Sequence, residues 1–146
     1  MLSSGTLRTY RTEKRYARYR KKGGTKEANL CLIKPIKKFK YWILIPNEFP
    51  YDLRYKTNHM LTPKRSVANK KDLTTEELNE YNTVIADYVD KNYDTILENT
   101  WRGRTIKSQY HIHVCVYKKP SNLKTLVVRL IKRVWRKYAE SRMSSR

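Results

Sequence analysis

The chain has 146 residues, which predicts about one domain, and its 33 Lys and Arg against 13 Asp and Glu give a net charge of +20. No apolar run approaches about 18 residues, residues 1–12 lack the apolar core of a secretory signal, and two cysteines, Cys31 and Cys115, are too few for a disulfide framework. A membrane-spanning, secreted or disulfide-stapled chain is therefore not expected, and both thiols are expected to be reduced. The charge is concentrated at the ends: residues 1–28 carry +7, residues 118–146 carry +9, and the stretch between them only +4. This predicts a near-neutral body over 29–120, flanked by a basic N-terminal arm, 1–28, and a basic C-terminal helix and tail, 121–146. The cytoplasm is the expected location. The Ser- and Arg-containing, acid-free start is a composition that mitochondrial presequences share with nucleic-acid-binding arms.

In chain order, Tyr10, Tyr16 and Tyr19 interleave with Arg8, Arg11, Arg15, Arg18 and Arg20, and a helix is predicted over about 12–22, ended by Gly23 and Gly24. Leu30–Ile33 is a short apolar patch. Tyr41–Ile45 reads as a strand stopped by Pro46, Asn47–Asp52 as a turn-rich loop, and His59–Pro63 as a second strand. The clearest helix starts at Thr74, where Glu77 three residues on completes a capping box. Leu78, Tyr81, Val84, Ile85, Tyr88 and Val89 follow at helical spacing. Tyr93–Asn99 is a predicted strand and Trp101–Arg104 a tight basic turn. Tyr110–Tyr117 is a strand with Tyr110, Ile112, Val114 and Val116 on one face and Gln109, His111, His113 and Cys115 on the other. After Pro120, Ser121 or Asn122 caps a last amphipathic helix whose apolar stripe runs from Leu123 to Tyr138. The order predicts an α+β fold with an antiparallel sheet and a central helix.

His111 and His113, two of only three histidines, share one strand face. A polar strand surface is the plainest reading. A nucleophile with its partner, or a pair of metal ligands, are the chemical ones. His, His and Cys on successive same-face positions splay apart along a strand, so no zinc site, other metal or cofactor is expected.

The stretch Arg104–Cys115 (RTIKSQYHIHVC) resembles the signature of the histidine triad (HIT) family, His-φ-His-φ-His-φ-φ. Upstream, Trp42–Asp52 (WILIPNEFPYD) is similar to that family's nucleoside-binding strand and loop, and His59–Arg65 (HMLTPKR) to its Pro-Lys-Arg strand. Leu73–Leu78 (LTTEEL) falls where the family has its central helix. The resemblance covers roughly 29–117. It implies a nucleotide or nucleotide conjugate as ligand, and a middle histidine that attacks the α-phosphate to form a nucleotidyl-imidazole intermediate. In the preferred register the middle position is His111, the third is His113 and the first is Gln109, which departs from the pattern because an amide cannot titrate. In the other register His113 is the nucleophile and Cys115 the third position. Catalytic roles therefore fall on His111, His113 and Gln109. Nucleotide contacts fall on Asn47, Phe49, Tyr51, Asn99, Thr105 and Ser108. Ser66 stands where the family often has a further histidine. Relatives often form two-fold dimers, for which the Leu78–Val89 helix would serve.

The basic ends suit a polyanion. Arg15, Arg18, Arg20, Lys132, Arg133 and Arg136 are expected to contact RNA or DNA phosphates, with Tyr10, Tyr16, Tyr19 and Trp101 as stacking surfaces. An anionic membrane surface is the rival for the last helix. Three functions follow: a HIT-type nucleotidyl hydrolase or transferase; a non-catalytic HIT scaffold held on RNA in a ribonucleoprotein; and a His-hydrophobe-His nicking endonuclease, with Tyr117 or Tyr138 as the attacking tyrosine.

Overall fold

The computed structural model describes residues 7–119, 127–128 and 130–133. Its frame is one antiparallel sheet built from β1 (Lys37–Lys38), β2 (Trp42–Pro46), β3 (Tyr55–Pro63), β4 (Thr95–Leu97) and β5 (Ile112–Tyr117), in the order β1-β2-β3-β5-β4. The expected α+β architecture is therefore what the chain adopts. β3 runs several residues beyond its predicted start at His59, because Tyr55–Asn58 pair with Cys115–Tyr117. Leu44↔Leu61 and Leu61↔Ile112 put one set of side chains on one face. Ile45↔Met60 and Met60↔His113 put the alternate set on the other.

The first face is the core. Trp42, Leu44, Leu61, Ile112 and Val114 pack there with Val67, Leu73, Ile85 and Val89. The covering helix is α3 (Thr75–Glu80) and α4 (Ala86–Asn92), joined by a π-helical turn over Tyr81–Ile85. Its start is the capping box expected at Thr74, with the Glu77 carboxylate accepting from Thr74 N at 2.8 Å. The same buried carboxylate accepts two bonds from Arg65, at 2.7 and 2.8 Å. That pairing holds the Glu77 carboxyl below its usual range. Glu77→Ala removes cap and ion pair together and is expected to cost about 2 kcal/mol in chemical denaturation. An unchanged midpoint would show that the pair contributes nothing.

The second face carries Ile43, Ile45 and Met60, covered by Leu30 from a 3-10 turn at Leu30–Leu32. The N-terminal helix α1 (Tyr10–Lys21) lies on this side, which differs from the solvated arm that its charge suggests. Thr9 and Thr12 bond to Asp52, Leu53 N donates to Leu7 O, and the Tyr16 and Tyr19 rings pack 5.2 and 4.9 Å from Phe49. The physical reason lies in the helix pattern. Thr9, Thr12, Tyr16 and Tyr19 form an inward stripe, while Arg11, Lys14, Arg15 and Arg18 face solvent. Gly23 takes φ 82° at the helix end, and a Cβ on Gly24 would stand 2.3 Å from the Tyr19 ring. A short α2 (Gly24–Glu27) follows.

Most of the expected C-terminal helix, Arg136 and Tyr138 included, lies outside the described residues. Residues 127, 128 and 130–133 are helical and exposed, Lys132 and Arg133 among them. No helix of the described residues is long and apolar enough to cross a membrane.

Candidate active site

A cavity of about 740 Å³ opens on the second face, lined by His111 and His113, by Asn47, Phe49 and Tyr51 of the β2–β3 loop, and by Asn99, Gly103 and Thr105 of the β4–β5 connection. α1 and the segment before it close the other wall with Arg8, Glu13, Tyr16, Tyr19 and Arg20. That volume is in the range of small-ligand sites.

The two histidines are nearly buried, at 5% and 4% exposure, with rings 5.4 Å apart and nearly perpendicular. Their hydrogen bonds assign opposite tautomers. His111 Nδ1 lies 2.9 Å from the Gln109 carbonyl, which only accepts, so Nδ1 carries the proton and Nε2 keeps its lone pair. His113 is set by an amide ladder. Phe49 N donates to Asn47 Oδ1, so Asn47 Nδ2 donates to Asn58 Oδ1, which also takes Tyr51 N–H. Asn58 Nδ2 is thereby turned to His113 Nδ1 at 3.3 Å, and that nitrogen must accept. The His113 proton is on Nε2, 3.3 Å from the Tyr51 hydroxyl. One imidazole offers an electron pair and the other an N–H.

Burial pushes His111 below the ordinary histidine range. Burial, then His111 and Arg8, push His113 down to about 3. His59, on the opposite sheet face against the Tyr93 hydroxyl at 2.7 Å, is lowered by burial too. All three bind fewer protons folded than unfolded below about pH 6.5. The stability they confer is complete above that value and is lost as pH falls from it toward each lowered pKa. Denaturation series from pH 7 to 5 should show stability falling by up to about 1.4 kcal/mol per pH unit per histidine. A flat profile would mean the rings are solvated.

Gln109 occupies the strand face of the histidines, yet it does not line the cavity. Its Oε1 accepts from Leu30 N at 3.2 Å, and its Nε2 points to Cys31 Sγ at 2.6 Å and to the Pro63 carbonyl. It pins the Leu30–Leu32 turn to the sheet. Ser108 is exposed and does not line the cavity either. Thr105 does, and it accepts the Tyr16 hydroxyl at 2.6 Å. Arg15, Arg18 and Arg20 are all exposed; the Arg15 guanidinium lies 5.5 Å from the centre of the Phe49 ring, and Arg20 also lines the cavity. Of the expected stacking residues, Tyr16 and Tyr19 are committed to Phe49, while Tyr10 and Trp101 stand out at 70% and 50% exposure. Among the described residues no three His, Cys, Asp or Glu side chains group as metal ligands. Cys115 is fully buried, and burial raises its thiol to about 11.

Sequence reasoning missed Asn58, Arg8 and Glu13. Asn58 lies just before the strand read at His59–Pro63, among Lys56, Thr57 and His59, so nothing local singled it out. Arg8 and Glu13 had no sign beyond their place in a basic segment.

No family model and no curated protein matches the chain. Among solved structures it is similar to a histidine triad protein from Clostridium difficile, at 16% identity and TM-score 0.46 over 62% of this chain and 84% of that one. It is similar to a hypothetical protein from Leishmania major, at 11% identity and TM-score 0.46 over 74% and 88%. A third is a Hit-like protein involved in cell-cycle regulation from Bartonella henselae, at 16% identity and TM-score 0.45 over 66% and 76%. The function of the chain is accordingly read from its own residues.

Proposed function

We propose that the chain is a HIT-type nucleotide-binding protein that transfers or hydrolyses nucleotidyl groups through His111. The observation that carries this reading is the pair of complementary tautomers in one cavity, a bare Nε2 on His111 beside an N–H on His113. The Nε2 lone pair attacks the α-phosphorus and the bond to the leaving group breaks with its electron pair. The nucleotidyl-imidazolium keeps its proton on Nδ1, held by the Gln109 carbonyl. Water then opens the P–N bond, releases the nucleoside monophosphate and a proton, and returns His111 to neutral. The Tyr51 hydroxyl, which takes the His113 Nε2–H, is the donor for charge growing on phosphate oxygens. Asn47, Phe49 and Asn99 line the nucleotide, Thr105 supports that wall, and Gln109 positions the turn beneath it. The exposed cations Arg15, Arg18, Lys132 and Arg133 supply phosphate contacts for a nucleic-acid strand.

A second reading has one observation in its favour. Gln109, at the first triad position, is turned away from the cavity, which suits a scaffold that binds nucleotide or RNA without turnover. The test is to incubate the full chain with nucleotide conjugates labelled at the α-phosphate and to look for an acid-labile protein adduct. An adduct is expected. RNA binding with no adduct and no nucleotide release would leave the non-catalytic scaffold.

A further inference from the structure

Trp101 stands half-exposed in the β4–β5 connection, on a turn that is otherwise tied down. Gly103 N and Arg104 N both donate to the Thr100 carbonyl at 3.0 Å, and Lys107 Nζ donates to the carbonyls of Trp101 and Arg102. Arg104 is buried and donates to the Ala68 carbonyl at 2.8 Å. Its guanidinium lies 5.3 Å from the centre of the Trp101 ring, and Lys107 Nζ lies 5.2 Å from it. A large ring steadied by two cations on a closed turn loses little freedom when something stacks on it.

The surroundings are cationic. Arg102 and Lys107 are exposed beside the ring. Thr105 of the same connection accepts the Tyr16 hydroxyl at 2.6 Å, so α1 abuts this segment. α1 carries six Lys and Arg against one Glu, and Arg11, Lys14, Arg15 and Arg18 are exposed along it. The acids of the region are engaged, Glu13 with Arg8 and Arg20, and Glu98 with Lys70 and the Tyr110 hydroxyl. Exposed cations suit the phosphates of any polyanion. An exposed, fixed indole is more selective. It suits the face of an unpaired base, because the bases of a duplex are already stacked on one another.

We infer that α1 and the Trp101 turn form one surface for single-stranded nucleic acid, with phosphates on the α1 cations and a base stacked on Trp101. This rests on the nucleic-acid contacts proposed above and narrows them to an unpaired strand. It does not depend on the chemistry of His111. Gly103 and Thr105, close to Trp101 in the chain, line the histidine cavity, so the strand passes near its mouth.

The test uses the full chain carrying Trp135→Phe, which leaves Trp101 and the buried Trp42 as the only indoles. The probes are oligouridylate and oligodeoxythymidylate of about twelve nucleotides, a duplex of the same length, heparin, and phosphatidylserine vesicles. Either oligonucleotide is expected to quench the indole emission and to bind more tightly than the duplex, despite the denser charge of the duplex. Trp101→Ala should abolish the quenching and weaken single-strand binding about tenfold while duplex and heparin binding hold, and Trp101→Phe should restore most of the loss. Arg15→Gln with Arg18→Gln should weaken every polyanion and lower the single-strand salt slope by about 0.7 for each cation removed. Duplex or heparin binding as tight as that of the single strand, or single-strand binding untouched by Trp101→Ala, would overturn the surface and leave the phosphate contacts standing. Vesicle binding without oligonucleotide binding would overturn it in favour of anionic lipid. Binding of no probe near physiological salt would remove the nucleic-acid contacts and this inference together, while adduct formation at His111 would still decide the nucleotidyl reading.

Discussion

Replacing His111 by alanine is expected to lower nucleotidyl transfer by about a thousandfold or more while nucleotide affinity changes by only a few fold. The asymmetry follows from the hydrogen bonds. His111 is the ring whose Nε2 is left bare, because its Nδ1–H is committed to the Gln109 carbonyl. His113 presents a proton instead, with its Nδ1 accepting from Asn58. His113→Ala should therefore slow the reaction less, by about a hundredfold, and should still form the labelled adduct, since it removes a donor and not the nucleophile. The two variants separate the registers that the sequence left open. An adduct that survives His111→Ala and vanishes in His113→Ala would move the nucleophile by two residues and overturn the tautomer assignment. Asn58→Leu offers an independent check. It frees His113 Nδ1, so the ring can exchange tautomers, and the difference between the histidines should narrow.

The elements that were legible in the sequence are those whose determinants are local. Thr74 and Glu77 are three residues apart and cap the helix as their spacing predicts. The alternation Tyr110, Ile112, Val114 against His111, His113 survives folding because a strand's two-residue period is a property of the backbone. Gln109 shows the limit of that period. Its face was right, but a face does not say what meets it, and Leu30, 79 residues away, does. The N-terminal helix shows a different limit. Net charge dominated the reading, since nine Lys and Arg among 28 residues look like a solvated arm. Only the stripe of Thr9, Thr12, Tyr16 and Tyr19 marked an inward face, and its partner, Asp52, is 43 residues from Thr9. Arg8, Glu13 and Arg20 were therefore placed in the cavity by a contact that no local pattern announces.

That contact can be cut. Asp52 accepts from Thr9 N at 2.8 Å, from the Thr9 hydroxyl at 2.8 Å and from the Thr12 hydroxyl at 2.7 Å, so one carboxylate holds the first turn of α1 on the β2–β3 loop. Burial raises its pKa, but those three bonds outweigh it and hold the carboxyl below the usual range. The latch is thus intact above the ordinary carboxylate pKa and is lost only as pH falls through the lowered one. Asp52→Ala is expected to weaken the docking of α1 by about 2 kcal/mol, the worth of charge-assisted bonds reduced for partial exposure. The sheet should be unaffected, because its core lies on the other face. Amide exchange over residues 10–21 should therefore quicken while that of 112–117 holds, and nucleotide affinity should drop about tenfold, since binding must first restore the missing wall. Asp52→Asn, which keeps one acceptor oxygen, should fall between. Unaltered exchange in α1 would mean that the Tyr16 and Tyr19 contacts with Phe49 suffice. Faster exchange with unaltered affinity would mean that the ligand touches only the histidine side of the cavity.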